Sequence, residues 1–169
     1  IEGVKTLGEL DFLIYHRDFK RIEHWEIALK YYLAEADYRF EQWYGLNPSD
    51  RLARNMLHFT EKQFQFQQAL QHDIEARFCM LKGQLYLPQN MQHTLPAWVN
   101  PARRIGHWGH QQPEQSLGYY RLQRHEWICA NSQLSSETAQ WWTDGLYKQQ
   151  FHQHYYMFRQ APYLMRVNG

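Results

Sequence analysis

His24-Trp25-Glu26-Ile27-Ala28-Leu29-Lys30-Tyr31-Tyr32-Leu33 is the stretch on which the fold turns. Trp25, Ile27, Leu29 and Tyr31 fall on one side of it and His24, Glu26, Ala28 and Lys30 on the other, which is the period of a strand. Just upstream, Leu10, Phe12 and Ile14 alternate with Glu9, Asp11 and Leu13 in the same way. The polar segment 16–20 separates the two runs, so the chain opens as a hairpin-like pair of strands over 6–15 and 21–33. Pairing them brings acids and a base onto one face.

Further along, Gly45, Asn47 and Pro48 mark a loop, and Ser49 or Asp50 stands where it caps a long helix over 51–76. Leu52, Met56, Phe59, Phe66 and Leu70 give that helix an apolar stripe. From Arg77 the pattern returns to strand, with Phe78, Met80 and Leu81 before Gly83 and Leu85, Tyr86 and Leu87 after it, and Gly83 marks a bulge or a turn. Residues 88–118 read as a long loop. A strand over 119–130, a helix from Ser135 or Ser136 toward Phe151 and a last short strand over 163–167 complete the pattern. There is no internal repeat.

Strands mixed with helices over 169 residues suit one α/β domain with one core. The chain begins at Ile1 without an initiator methionine, which points to an N-terminal portion upstream. Aromatic residues are 17% of the chain, far above what a disordered segment carries. Eighteen Lys and Arg against 17 Asp and Glu leave a net charge of +1, so any anion binding must be local. Cys79 and Cys129 both lie in apolar strand-like runs, the setting of buried free thiols in a reducing compartment. No apolar run approaches the roughly 20 residues of a membrane span. The expected location is cytoplasmic, with no membrane partner.

Two strand-borne carboxylates joined by a lysine suit a hard divalent cation: the acids supply oxygen ligands, and the lysine orients a water or stabilises charge on a phosphate. Asp11, Glu26 and Lys30 fit that description, with Glu9 as a further ligand. The plainer reading of the same residues is a half-exposed strand carrying a surface ion pair. Resemblance weighs against it. Residues 6–13, Thr-Leu-Gly-Glu-Leu-Asp-Phe-Leu, and the stretch quoted above resemble an uncharacterised bacterial family grouped with the PD-(D/E)XK nuclease superfamily. So do Gly45-Leu46-Asn47-Pro48-Ser49-Asp50-Arg51-Leu52 and Lys82-Gly83-Gln84-Leu85-Tyr86.

The resemblance implies a restriction-endonuclease-like fold, a mixed sheet flanked by helices, that hydrolyses phosphodiester bonds in DNA or RNA with Mg²⁺ or Mn²⁺. Asp11 and Glu26 match the two acids of the motif. The usual acid-x-Lys spacing puts the lysine at position 28, which is Ala, so Lys30 serves from one pleat further on. The superfamily's additional acid, on a preceding helix, belongs upstream of Ile1.

For the phosphate, the helix start offers Asp50, Arg51, Arg54, Lys62 and Gln63, of which Arg51, Arg54 and Gln63 are the candidates. Arg103, Arg104, Arg121 and Arg124, interleaved with Trp108, Tyr119 and Tyr120, suit a nucleic-acid backbone and its bases. The alternative function is therefore a catalytically silent nuclease-like module that binds nucleic acid or a protein partner through this stretch. Zinc is disfavoured: His107 and His110, or His152 and His154, complete no ligand set with the cysteines. No Gly-x-Ser-x-Gly motif points to a nucleophilic enzyme.

Overall fold

A computed structural model describes residues 10–35, 37–61, 63–89, 94–102, 105–114, 118–128, 142–150, 152 and 154–161. The elements in chain order are β1 (Phe12–His16), β2 (Arg21–Ala34), β3 (Trp43–Gly45), α1 (Leu52–Glu61), β4 (Gln68–Ala69) and β5 (His72–Asp73). They continue with β6 (Ala76–Pro88), β7 (Ile105–Gly109), β8 (Tyr119–Arg121), β9 (Gly145–Gln149) and β10 (Tyr155–Phe158). The architecture is α/β, strand-rich, with few helices. The chain divides into two compact units, the described residues of Ile1–Lys30 with Ala53–Lys82 and those of Tyr31–Leu52 with Gly83–Gly169. No helix among the described residues is long and apolar enough to cross a membrane.

In the first unit the strand order is β1-β2-β6. The hairpin is present, with Phe12 opposite Trp25 and His16 opposite Arg21. Its faces have an unexpected polarity. Phe12, Ile14, Ile27 and Leu29 are exposed, whereas His24 and Glu26 on the opposite face are only 0% and 1% exposed. Trp25 is covered by Phe78 of β6, stacked at 4.6 Å between ring centroids.

The helix expected over 51–76 stops at Glu61. Beyond it the backbone finds partners outside a helix: Arg77 donates from Nε and Nη2 to the Phe66 carbonyl, and Ile74 N–H donates to Gln67 O. Leu70 and Gln71, with φ of 50° and 66°, make the two-residue turn between β4 and β5. Two consecutive left-handed residues match the twist of a tight hairpin and cannot continue a helix.

In the second unit the end of β2 pairs with β3, and the order β6-β7-β10-β9-β8 is mixed. β7 runs parallel to both β6 and β10, while β9 is antiparallel to β10 and to β8. β7 lies inside the segment expected to be a loop. The expected strand over 119–130 ends at Arg121 and gives way to a 3-10 turn over Arg124–Trp127. There Glu126 Oε2 accepts from Gln123 N–H at 2.5 Å. Of the helix expected from Ser135 or Ser136, the part over Gly145–Gln149 is β9. Its beginning, the strand over 163–167 and Cys129 lie outside the described residues.

One face of this sheet is packed by Tyr31, Leu33, Tyr86, Trp108, Trp127, Leu146 and Met157 among others, the other by Tyr119, Tyr147, Tyr156 and Phe158 with Trp142 against them. Buried indoles need acceptors, and the Nε1–H groups of Trp108 and Trp127 donate to the carbonyls of Ala34 and Leu122.

A histidine pair ties β7 to the start of β10. His107 Nδ1 lies 3.0 Å from His154 Nε2, and His154 Nδ1 lies 2.5 Å from the Tyr119 hydroxyl. Burial holds both imidazoles below the ordinary 6.5, with the charges of His107 and His152 adding to the effect at His154. The shared bond needs one nitrogen as donor and the other as acceptor, so the pair stabilises the fold when it is not doubly protonated. A lowered folded-state pKa means the unfolded chain binds protons first. Stability from the pair is complete above about 6.5 and is lost as the pH falls through the lowered values. The melting temperature is accordingly expected to fall from pH 7 to pH 5. A His107→Asn/His154→Gln variant, followed by circular dichroism, is expected to show a flatter dependence; an unchanged slope would remove the pair from the acid response.

Candidate functional site

Extending the β1–β2 register one step beyond Phe12 and Trp25 puts Asp11 opposite Glu26. Their hydrogen bonds are reciprocal. Ile27 N–H donates to Asp11 Oδ2 at 2.8 Å, and Asp11 N–H donates to Glu26 Oε1 at 3.4 Å. Each carboxylate is thus held by the backbone of the other's strand. Asp11 is exposed, whereas Glu26 is buried. Two acids at one rung, one reachable from solvent and one locked behind it, form an anionic corner at the end of the hairpin.

His24, two residues before Glu26 on the same face, completes the corner. Its Nε2 lies 2.5 Å from Glu26 Oε1, and its ring stands edge-on to Phe64 with centroids 5.7 Å apart. The sequence reading placed His24 on the face of Glu26 and Lys30 without giving it a role. Its proximity follows from the period of two, but its complete burial does not. Cys79 of β6 belongs to the same unit, and burial together with the Glu26 carboxylate pushes its thiol pKa up, so it is a neutral neighbour and not a nucleophile.

Lys30 lies on this face, half-buried, at the end of the first unit. Four residues of strand separate its backbone from that of Glu26 by roughly 13 Å. Arg54 is exposed on α1. Gln63 lies in the 3-10 turn that follows, its side chain outside the description. Glu9, Arg103 and Arg104 also lie outside the described residues. Arg51 belongs to the second unit, where its guanidinium sits 5.1 Å from the Tyr44 ring centroid.

In the second unit, Trp108 and Tyr119 of the basic, aromatic stretch are core residues at 6% and 2% exposure. Arg121 donates to the Asp144 carbonyl, and Arg124 covers the Trp127 ring at 4.2 Å. His110 does not pair with His107, and its Nδ1 meets the Arg159 carbonyl. No group of three or more His, Cys, Asp or Glu among the described residues is placed to hold a metal ion.

A family model described as a domain of unknown function (DUF1853) matches residues 2–168. No curated protein and no solved structure matches the chain.

Proposed function

The chain belongs to the DUF1853 family, and from the hairpin corner we propose that it is a metal-dependent nuclease, hydrolysing phosphodiester bonds of DNA or RNA, with Asp11 and Glu26 as the protein ligands of a Mg²⁺ or Mn²⁺ ion. The observation that carries this reading is the reciprocal pair of hydrogen bonds that sets the two carboxylates at one rung of the hairpin.

The donor chemistry fits the ion. Among the described residues the hydrogen bonds of the two acids go to Asp11 Oδ2 and Glu26 Oε1, and we assign Oδ1 and Oε2 as the ligand oxygens. Mg²⁺ retains several waters and takes one or two carboxylates together with substrate phosphates, so two protein oxygens suffice. When bound, the cation supplies Lewis acidity at the phosphate and a water of lowered pKa. The chain's own residues do the rest. Asp11, being exposed, meets the incoming substrate, and Glu26 anchors the site from behind. Lys30, with its long side chain, places positive charge toward the attacked phosphate, and Arg54 contributes to holding the backbone beyond it.

The test is calorimetric titration with Mn²⁺, accompanied by cleavage assays on single- and double-stranded DNA and RNA. Asp11→Asn and Glu26→Gln keep the acceptors that the hairpin uses while removing charge. Saturable binding by the wild type is expected to weaken at least tenfold in either variant, with cleavage lost in parallel. A wild type that binds no Mn²⁺ overturns the proposal. Salt-sensitive nucleic-acid binding without metal would then favour the catalytically silent module.

A further inference from the structure

His24 carries a feature that the ligand assignment alone does not explain. It is 0% exposed, it directs Nε2 at Glu26 Oε1, and its Nδ1 is buried without a hydrogen-bond partner among the described residues. A buried polar atom left unmet costs roughly 1–3 kcal/mol, so a histidine that merely filled space here would be poorly suited to it. The Glu26 carboxylate, which only accepts, decides the tautomer. With Nε2–H donating to Glu26, the unmet group is a lone pair.

Glu26 Oε1 therefore receives two donors, the His24 Nε2–H and the Asp11 N–H. A carboxylate held twice through one oxygen has little freedom to rotate, and its other oxygen is presented in one direction. Histidines and carboxylates that contact a metal ligand orient it in this way, and losing one typically costs 10–100-fold in metal affinity.

We infer that His24 is a positioning residue that fixes the Glu26 carboxylate through Oε1 so that Oε2 is the oxygen offered to the divalent cation. This inference rests on the proposed role of Glu26 as a ligand.

The experiment is Mn²⁺ calorimetry on wild type, His24→Leu and His24→Gln, with near-ultraviolet circular dichroism as the check on folding. His24→Leu keeps bulk and removes the donor; His24→Gln restores an N–H that reaches Oε1. The expected result is a 10–100-fold weaker Kd for His24→Leu and recovery to within about threefold of wild type for His24→Gln. If the leucine variant does not fold, His24→Asn, whose amide stops short of Oε1, takes its place with the same expected loss. Wild-type binding that His24→Leu leaves unchanged overturns the inference and leaves the ligand assignment standing. Equal losses in folded His24→Leu and His24→Gln overturn it too, because a donor at that position would not be what matters. No wild-type binding removes the ligand assignment and this inference with it.

Discussion

Gly106→Ala is expected to destabilise the protein by about 3 kcal/mol, the upper end of what an added methyl costs in a close-packed core. Gly106 lies on β7 directly opposite Tyr86 of β6. A Cβ at Gly106 would sit 2.6 Å from both Cδ1 and Cε1 of the Tyr86 ring and 3.0 Å from the Tyr155 carbonyl oxygen on β10. Neither neighbour can withdraw cheaply. Tyr86 is 0% exposed and its hydroxyl donates to Gln84 Oε1 at 3.0 Å, while the Tyr155 oxygen is backbone in the adjoining strand. The bare glycine lets the tyrosine ring lie flat across the β6–β7 pair. Urea denaturation measures the effect, and Gly106→Ala/Tyr86→Leu, which removes the clashing ring, is expected to cost less than the sum of its parts. A Gly106→Ala midpoint equal to wild type would mean that the two strands do not pair in this register.

Glu26→Ala is expected to cost about 3 kcal/mol, since a buried donor left without its acceptor costs roughly 1–3 kcal/mol and two donors lose theirs here. His24 would then have both ring nitrogens buried without a partner, and the Asp11 N–H would lose its acceptor. Glu26→Gln preserves the Oε1 acceptor and is expected to cost about 1 kcal/mol, within the usual worth of one hydrogen bond. His24→Leu/Glu26→Leu, which removes both polar groups, is expected to recover most of the loss of Glu26→Ala. Denaturant midpoints of the three variants separate these cases. A Glu26→Ala protein as stable as wild type would show that this carboxylate is not the buried partner of His24. The same comparison explains why glutamine, and not alanine, is the substitution suited to metal titration.

The first hairpin was legible because its signal is local. Alternation of Phe12, Ile14, Trp25, Ile27 and Leu29 with Asp11, His24 and Glu26 defines a period of two, and a polar turn between two such runs leaves few other pairings. That same periodicity put Asp11, Glu26 and Lys30 on one face. The aromatic content of 17% pointed to a packed interior, as the two aromatic faces of the second unit show. The end of the helix at Glu61 was not legible, since Phe66 and Leu70 continue an apolar stripe in the sequence. The partners that draw the backbone away, such as Arg77, bind only once the chain has folded back. β7 was hidden for a related reason: Gly106 and Gly109 look like loop residues, yet each occupies a place where a side chain would strike Tyr86 or Tyr156.

The sequence by itself determined which residues share a face of the hairpin, because side-chain alternation is imposed by the geometry of a single extended chain. Only the tertiary structure decided which face is inside. His24 and Glu26 are buried while Phe12, Ile14, Ile27 and Leu29 are exposed, the reverse of what hydrophobicity alone would choose. It also decided that His107 bonds to His154 and not to its near neighbour His110. Burial and long-range pairing are set by free energies summed over residues far apart in the chain, and no local pattern contains that sum.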